Sequence, residues 1–475
     1  NALSVAVREG LRLFGKADLQ TGDVVISCAA ATLGQHLNNV VMYTPIRNGE
    51  EDAGLLGFMV IVVHWMDVGG NVPGSCTTTK STEVFQEGIQ FPALKLMRRG
   101  ARAPEIQRLI EANTRFTPLV LGDMESQIAG CMMGRDMVLE VFQKFGSTDV
   151  FAAVARFWSR TEAAVRAAIR EIPDGVYEAS SFLDDDGTRK GVRLPVNVSV
   201  RVAGDEMTVD LSGLGDQVPG PWNAGFEGGA VAAVRIACKF FFASEESATE
   251  GAFRPIKIVC RPGTFMSAVP PAAIAGSGHN LPTVVDTILR ALGKAMPGRV
   301  PAGHSGSYSA QIIVDRSGRS KGYHLEAVAG GWGAAKHRDG NGPFRSMAHG
   351  DTPEVPVELQ EATYPYRVER VALRADSGGA GEHRGSPGLE KFYTLLGPVS
   401  YIAMFERTQC PPWGVAGGRD GQPGRVDVHR DGALLMSVVK DDLVLQTGDE
   451  VRVFSAGGGG YGDPRHRAVE AVAGD

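Results

Sequence analysis

The chain contains 475 residues with a formal net charge of −6, and 61 of these residues are glycine. Glycine makes up about 13% of the chain against a usual ~7%, but glycine and proline together remain below the ~25–30% that marks low-complexity sequence. The acidic balance argues against a protein that coats nucleic acid, and the hydrophobic content of 43% suffices for a large folded core.

The first segment, residues 1–101, is predicted to combine short strands and turns. Its strand signals are β-branched runs bounded by glycine, asparagine or proline, and they lie at Val24–Ser27, Val40–Tyr43 and Phe58–Val63. The run Phe58–Val63 is apolar at every position, which predicts a strand that is buried on both faces.

The second segment, residues 102–175, is predicted to be helical. Apolar residues recur at three- and four-residue spacing in the stretch that begins at Pro104 and again over Met124–Phe145. Phe151–Ile172 is rich in alanine, arginine and glutamate, which favours a helix ended by the Pro-Asp-Gly that follows. We therefore expect a helical insert at about 102–171.

The third and fourth segments return to strands. Residues 176–307 are predicted to mix both element types, with strands at Val196–Val202, Met207–Leu211 and Ile256–Val259 and helices at Gly228–Ala243 and Pro282–Met296. Residues 308–475 are predicted to be β-rich, with strands at Gln311–Val314, Tyr323–Ala327, Arg367–Leu373, Lys391–Leu396, Ser400–Phe405, Val426–His429 and Val451–Phe454. We expect the four segments to be domains of a mixed α/β (α+β) protein with a β-rich C-terminal half.

No targeting or membrane-spanning segment is predicted. The longest apolar stretch, Leu55–Trp65, is too short to cross a bilayer, and the chain opens without the basic and apolar regions of a signal peptide. The six cysteines form no CxxC pair, so neither a zinc ribbon nor a disulfide framework is indicated. We expect reduced thiols in a cytoplasmic protein that has no nucleic-acid or membrane partner.

Phosphate-binding motifs do not account for the glycine excess. The pattern GxxxxGK[ST] does not occur, which predicts that this chain does not hold ATP in a P-loop. Gly457-x-Gly459-x-x-Gly462 matches a dinucleotide-binding pattern, but its place near the chain end leaves no room for a βαβ unit. Tight turns between strands are the simplest interpretation of the glycine clusters.

Two pairs of polar residues near predicted strand ends form the strongest candidate site. His36 and Asn39 are three residues apart, as are His64 and Asp67. Imidazole and carboxylate groups are ligands that Zn²⁺ and Mn²⁺ choose, so the two pairs are able to converge on one ion. Ordinary polar residues at strand ends, without a metal, are the alternative.

Two glutamates follow this candidate site. Glu83 and Glu87 are four residues apart, so they would share one face if Ser81–Gly88 is helical. A solvated helix face explains the pair as well as a functional role does.

Several motifs together resemble the hydantoinase B/oxoprolinase family. In the family's order along nearly the whole chain they are Asp67–Gly70, Pro73–Ser75, Thr82–Gly88, Gly330–Gly333, Asp376–Gly385, Pro411–Gly418 and Gly457–Pro464. Because glycine clusters lie within these motifs, we expect close backbone packing at Gly330–Gly333 and Gly457–Gly462, either internal or against a partner subunit. The pattern also leads us to expect that an N-terminal segment of the family is missing before Asn1.

The resemblance implies a division of labour between subunits. In this family a hydantoinase A-type partner binds ATP and phosphorylates the amide or enolate oxygen of a small-molecule substrate. The B-type subunit then hydrolyses the activated species or joins it to CO₂. ATP is therefore expected to be used by the partner and not bound by this chain. A hetero-oligomer is implied, to which a carboxylase would add a small zinc-binding subunit.

The resemblance also implies a divalent metal, Zn or Mn. By position, His36 and His64 match the metal-ligating histidines of the family. Two carboxylates of the family pattern are absent, since Ala29 and Asn39 stand in their places. Asn39 still offers a carbonyl oxygen as a third ligand, but it brings no charge. Weak metal binding, ligands from elsewhere in the site and a metal-free subunit all remain open.

Further site residues follow from the same resemblance. Asp67 and Glu83 are the candidates to replace the missing metal ligands. The residues expected to stabilise charge or move protons are His64, Asp67, Glu83 and Glu87. The residues expected to bind substrate are Asp123 and Gln127.

The function predicted first is a B-type subunit of an ATP-dependent carboxylase that acts on a ketone, as acetone and acetophenone carboxylases do. Trp65 and the stretch Gln35-His36-Leu37 favour this class. One alternative is an ATP-dependent cyclic amidase of the hydantoinase or 5-oxoprolinase type. A second alternative is a degenerate scaffold subunit without catalytic activity, which Ala29 and Asn39 motivate.

Overall fold

The structure is a computed structural model that describes residues 2–49, 54–242, 248–318, 320, 322–349 and 353–474. The helices of this part of the chain are α1 Ala2–Asp18, α2 Ala30–Leu33, α3 Pro104–Asn113, α4 Thr117–Phe145, α5 Ser147–Arg170, α6 Ala232–Phe242, α7 Glu250–Phe253, α8 Ser277–Ala295, α9 Val357–Thr363 and α10 Val469–Gly474.

The strands of the described residues are β1 Val24–Ser27, β2 Asn39–Arg47, β3 Leu55–His64, β4 Leu94–Arg98, β5 Ala101–Arg102, β6 Gly175–Leu183, β7 Leu194–Ala203, β8 Glu206–Asp210, β9 Ile256–Val259, β10 Ala310–Asp315, β11 Tyr323–Ala327, β12 Tyr366–Leu373, β13 Leu389–Leu395, β14 Val399–Met404, β15 Arg425–Arg430, β16 Ala433–Val438, β17 Lys440–Leu445 and β18 Glu450–Phe454. They form four sheets in which only the β8–β9 pair is parallel among the strand pairs described. The predicted mixed α/β (α+β) class is confirmed.

Sheet 1 has the strand order β3-β2-β1-β4-β5 and is covered on both faces. Because successive strand residues point to opposite faces, Val24 and Ile26 of β1 enter the core shared with α4, whereas Val25 enters the core shared with α1. Met124 and Ile128, four residues apart on α4, belong to the first of these cores. The two helices therefore hold the sheet between them.

The strand predicted to be buried on both faces is the exception in this sheet. Phe58–Val63 does form part of β3, but its side chains are only half-buried and Val62 is 42% exposed. The prediction of full burial was wrong because β3 is the outermost strand of sheet 1, with a neighbour on one side only. The buried strands of this sheet are β1 and β2, which both have a neighbour on each side, and only Asn39 at the start of β2 is half-buried.

Sheet 2, with the order β6-β7-β8-β9, packs on helix α8. Along β7 buried and exposed residues alternate, so one face of the sheet meets the helix and the other faces solvent. Helix α8 is buried along most of its length, and α6 packs on it as well. Its first residue, Ser277, accepts a hydrogen bond from the backbone N–H of His36 at 3.0 Å. The central helix therefore begins next to sheet 1.

Sheets 3 and 4 form the C-terminal part of the molecule. Sheet 3 has the order β11-β10-β14-β17 and sheet 4 the order β12-β13-β18-β15-β16. Residues from both sheets, such as Tyr401 of β14 and Val451 of β18, share one hydrophobic core. The predicted β-rich C-terminal half is therefore confirmed as two sheets packed face to face.

The glycine-rich motifs pack backbone against backbone. A Cβ atom on Gly457 would lie 1.8 Å from the carbonyl oxygen of Ser377, and one on Gly458 would lie 2.0 Å from that of Trp332. A Cβ on Gly459 would lie 2.0 Å from the Trp413 carbonyl oxygen. These distances leave no space for any side chain, so the expected close backbone packing is confirmed, and it is internal to the chain.

Most of the predicted strands and helices are present, with ends that differ by a few residues. The stretch Ser81–Gly88 contains only a 3-10 turn at Val84–Gln86. Helix α1 was not predicted, nor were several strands, among them β4, β5, β16 and β17. The predicted helix end at Ala243 lies outside the described residues.

The helical insert does not form a core of its own. Helices α3 and α4 share a core with sheet 1, and the end of α5 joins the core under sheet 2. The division of the chain into domains at 1–101, 102–175, 176–307 and 308–475 stays a prediction. Within the described residues, no helix has both the length and the apolar character that a bilayer span requires.

Candidate active site

Three side chains that are able to bind a metal meet at the end of sheet 1. His36 follows α2, His64 is the last residue of β3, and Cys76 lies in the loop after β3. Pairing of Asn39 with His64 between β2 and β3 brings the two histidine segments together. One ligand atom from each of the three side chains lies within 4.8 Å of the others. We call these three residues the His-His-Cys group.

His36 is held in the form that binds cations. Burial, together with His64 and His279, lowers the pKa of His36 to about 3, so its imidazole is neutral at physiological pH. Its Nδ1 lies 3.3 Å from the Ser277 hydroxyl, and its buried Nε2 has no hydrogen-bond partner within the described residues. An unpaired buried nitrogen costs free energy, which coordination of a cation would recover.

The other two members complete a set of two nitrogens and one sulfur. His64 reaches solvent at one edge, yet the atoms crowded around its ring lower its pKa. Its Nε2 lies 3.7 Å from Cys76 Sγ. Burial raises the pKa of the Cys76 thiol to about 12, whereas a bound cation favours the thiolate. This donor set is typical of Zn²⁺ and is less suited to Mn²⁺.

Asn39, predicted as a metal ligand, lies in the same part of the site. Its amide nitrogen donates a hydrogen bond to Gln35 Oε1 at 2.7 Å. This bond ties Asn39, the first residue of β2, to the segment that precedes His36. Ala29 immediately precedes α2, and its methyl group offers no ligand atom.

The carboxylate of Asp67 organises the loop that carries Cys76. It is fully buried and accepts hydrogen bonds from the backbone N–H groups of Gly74 at 3.0 Å and Arg115 at 2.8 Å. The Arg115 guanidinium lies 3.2 Å from the same carboxylate. These partners tie the Gly-rich loop after β3 to the start of α4, which places Cys76 beside His64.

Glu83 and Glu87 do not share a face. Glu83 is exposed and caps the 3-10 turn, whereas Glu87 is buried. The Glu87 carboxylate accepts hydrogen bonds from the backbone N–H groups of Ile274 and Ala275 at 3.0 and 2.9 Å and from the Ser81 hydroxyl at 2.7 Å. Despite these donors, burial raises its pKa to about 7. Glu87 thus connects the end of the 3-10 turn to the segment that leads into α8.

The predicted substrate-binding residues lie on α4. Gln127 is buried, where its Oε1 accepts a hydrogen bond from Trp65 Nε1 at 2.7 Å and its amide donates to the Val40 carbonyl at 2.9 Å. Both of its polar groups therefore link α4 to sheet 1. Asp123 lies on the same helix, and partial burial raises the pKa of its carboxyl group.

The rings of His279, Tyr308 and His349 extend from the His-His-Cys group toward the C-terminal half. Sequence reasoning missed all three. The Tyr308 ring lies 5.0 Å from the ring of His279 and contacts His349. Burial lowers the pKa of His349, and the nearby His279 and His36 lower it further. These residues come from distant segments, so no spacing in the sequence groups them. Cys76, by contrast, directly follows the Pro73–Ser75 motif, which was a usable signal.

His349 also lines a cavity of about 510 Å³ on the C-terminal side of this set. The cavity walls are partly apolar, through Phe240, Trp332, Phe344 and Met347, and partly polar, through His304, Arg338, Asp339, Asn341, Arg345, Ser346 and His349. A volume of this size is typical of small-molecule sites. His349, which packs on Tyr308 and lies near His36, is also part of the cavity wall, so the candidate active site comprises the His-His-Cys group and this cavity.

Nearly the whole chain matches a known protein family. The model of the family described as Hydantoinase B/oxoprolinase matches residues 1–464. Caprolactamase subunit beta from Pseudomonas jessenii is 30% identical over 477 residues, covering 96% of this chain and 80% of that protein.

Two solved structures share the fold. The crystal structure of ATP-dependent caprolactamase from Pseudomonas jessenii aligns with a TM-score of 0.90 at 28% identity, over 99% of this chain and 82% of that one. A nucleotide-free structure of acetone carboxylase aligns with a TM-score of 0.86 at 18% identity, over 99% and 70% of the two chains. At the lower identity the similarity concerns the fold alone.

Proposed function

Since this chain belongs to the hydantoinase B/oxoprolinase family, we propose that it is the B-type subunit of an ATP-dependent complex that opens a small cyclic amide. An A-type partner would bind ATP and phosphorylate the amide oxygen, and this chain would hydrolyse the activated ring. The observation that carries the proposal is a His-His-Cys group with an unpaired, buried imidazole nitrogen beside a cavity of about 510 Å³.

A divalent ion, with Zn²⁺ favoured by the donor set, is part of this proposal. His36 and His64 would hold it through ring nitrogens and Cys76 through its thiolate. A cation held there would supply Lewis-acid stabilisation of negative charge on a substrate oxygen. Asp67 keeps the Cys76 loop in place, so that part of the site would be preorganised before substrate enters.

The preference for a cyclic amide rests on both sequence and structure. A relative that is 30% identical over most of the chain is named a caprolactamase subunit, and caprolactam is a cyclic amide. Trp65, which favoured a ketone carboxylase at the sequence level, is 1% exposed and bound to Gln127. Its side chain is therefore a contact between sheet 1 and α4, and it does not itself distinguish a ketone from a cyclic amide.

The test is turnover by the purified complex of this chain with its A-type partner. ADP and ring-opened product are measured with caprolactam, hydantoin or 5-oxoproline, and in parallel with acetophenone plus bicarbonate. We expect ADP formation and ring opening with at least one cyclic amide. Consumption of ATP only with the ketone and bicarbonate would establish the carboxylase alternative instead.

The variant His64→Ala separates a catalytic subunit from a scaffold. We expect it to lower turnover by about 100-fold or more, because it removes a group that stabilises charge in the transition state. His337→Ala is the matched control, since His337 is exposed and lies outside the residues that line the cavity. Full turnover by the His64→Ala complex would support a non-catalytic scaffold.

A further inference from the structure

His304 lies in the cavity wall with one ring nitrogen close to a carboxylate. The residue is 2% exposed, and its Nδ1 lies 3.0 Å from an oxygen of Asp286. The other oxygen of Asp286 accepts a hydrogen bond from Arg407 at 2.7 Å, so the carboxylate is itself fixed. The negative charge beside Nδ1 favours the tautomer that carries its hydrogen there.

The opposite nitrogen of the same ring is available for chemistry. In that tautomer Nε2 carries a lone pair. Both ring nitrogens are buried, and within the described residues neither makes a contact with full hydrogen-bond geometry. Because His304 lines the cavity, a molecule bound in the cavity is the natural partner. A histidine with a buried carboxylate beside one ring nitrogen, and with its other nitrogen unpaired on a cavity wall, has the components of a general base.

The indole of Trp332 forms the apolar part of the cavity wall beside His304. The Trp332 ring lies 5.8 Å from the ring of His304, and its Nε1 donates to the Arg345 carbonyl at 2.9 Å. The Trp332 carbonyl packs directly on Gly458 and accepts a hydrogen bond from the Ser386 N–H at 3.0 Å. The flat indole suits contact with the hydrocarbon face of a small cyclic substrate. A substrate bound in this way would have its reacting carbon near the polar residues of the cavity wall.

We propose that His304 is the general base that activates the hydrolytic water, with Asp286 as its positioning residue. This inference rests on the proposed function, which supplies an O-phosphorylated cyclic imidate. In the step a bond forms between the water oxygen and the imidate carbon, and the C=N π pair moves to the ring nitrogen. The proton that leaves the water is taken by His304 Nε2.

The experiment follows the two half-reactions separately in the complex with the A-type partner. In His304→Ala we expect a burst of ADP close to that of the wild type, because phosphorylation occurs on the partner. The rate at which ring-opened product forms should fall by about 100-fold or more, as expected when a general base is lost. Imidazole added to His304→Ala should restore part of the ring opening. His337→Ala again serves as the control and should keep both rates.

The outcomes distinguish this inference from the proposed function. Ring opening by His304→Ala within about threefold of the wild type would overturn the role of His304 and leave the proposed function standing. Equal loss of the ADP burst and of ring opening, without rescue by imidazole, would indicate a structural role and would also overturn it. If the wild-type complex forms no ADP with any cyclic amide, the proposed function fails and this inference fails with it.

Discussion

Glu87 is subject to two opposing influences on its carboxyl group. Three hydrogen-bond donors favour the carboxylate, but burial outweighs them and raises the pKa to about 7. A glutamate with a raised pKa binds more protons in the folded state than in the unfolded state. Its contribution to stability is therefore full at low pH and is lost as the pH rises through about 7.

The variant Glu87→Gln tests this balance. The free energy of unfolding of the wild type, relative to the variant, should fall by up to about 3 kcal/mol between about pH 5 and pH 8. Urea unfolding at the two pH values measures it, and taking the difference from the variant removes the contributions of other groups. A wild type that becomes more stable than the variant as the pH rises would contradict the raised pKa.

At the scale of elements, the C-terminal glycine segment depends on having no side chains. A Cβ on Gly458 would lie 2.0 Å from the Trp332 carbonyl oxygen, so Gly458→Ala must push two backbone segments apart. We expect it to lower the free energy of unfolding by about 1–3 kcal/mol. Because the displaced carbonyl belongs to the cavity wall, ring opening should fall as well. Chemical unfolding and turnover measure the two effects.

Gly122 is the matched control for this substitution. It lies within α4, where an added Cβ would meet nothing within 4 Å. Gly122→Ala should therefore be neutral or raise the free energy of unfolding by up to ~1 kcal/mol, because alanine favours the helix. Equal stability of the two variants would contradict the close packing of the C-terminal segment.

Local patterns predicted elements well and long-range placement poorly. Runs of β-branched residues identified strands such as β1, and apolar residues at three- and four-residue spacing identified helices such as α4, because that spacing reflects burial of one helix face. The apolar run in β3 was misread, since hydropathy does not reveal which strand lies at the edge of a sheet.

In the candidate site, the ends of predicted strands indicated His36 and His64. His304 was missed because its partner Asp286 lies on a different element, and tertiary folding alone joins them.

At the scale of the whole molecule, the candidate active site lies where separate cores meet. The His-His-Cys group belongs to the end of sheet 1, and Ser277 at the start of α8 hydrogen-bonds to His36. On the far side, Tyr308 and His349 extend the site to the cavity beside the C-terminal half. Unfolding of either half would separate these groups, so the complete site exists only in the native state.

Binding of Zn²⁺ should therefore stabilise the whole chain. An ion that binds the folded state alone raises the free energy of unfolding by ~2.7 kcal/mol at a hundred times its dissociation constant. We expect Zn²⁺ to raise the melting temperature of the wild type and to do so more than Mn²⁺, because a thiolate and two imidazoles suit the softer ion. Thermal unfolding with and without added metal measures the shift, together with the metal content of the protein.

Variants of the three ligands make this result specific to the site. Cys76→Ser and His36→Ala should lose the Zn²⁺-dependent shift and the bound metal, because each removes one of only three convergent donors within the described residues. His337→Ala should keep both, since His337 lies elsewhere on the surface. A shift of the same size in Cys76→Ser would exclude the thiol as a ligand. Cys76 would then not replace the two carboxylates of the family pattern, at whose positions this chain has Ala29 and Asn39. Metal binding would have to rest on the two histidines alone.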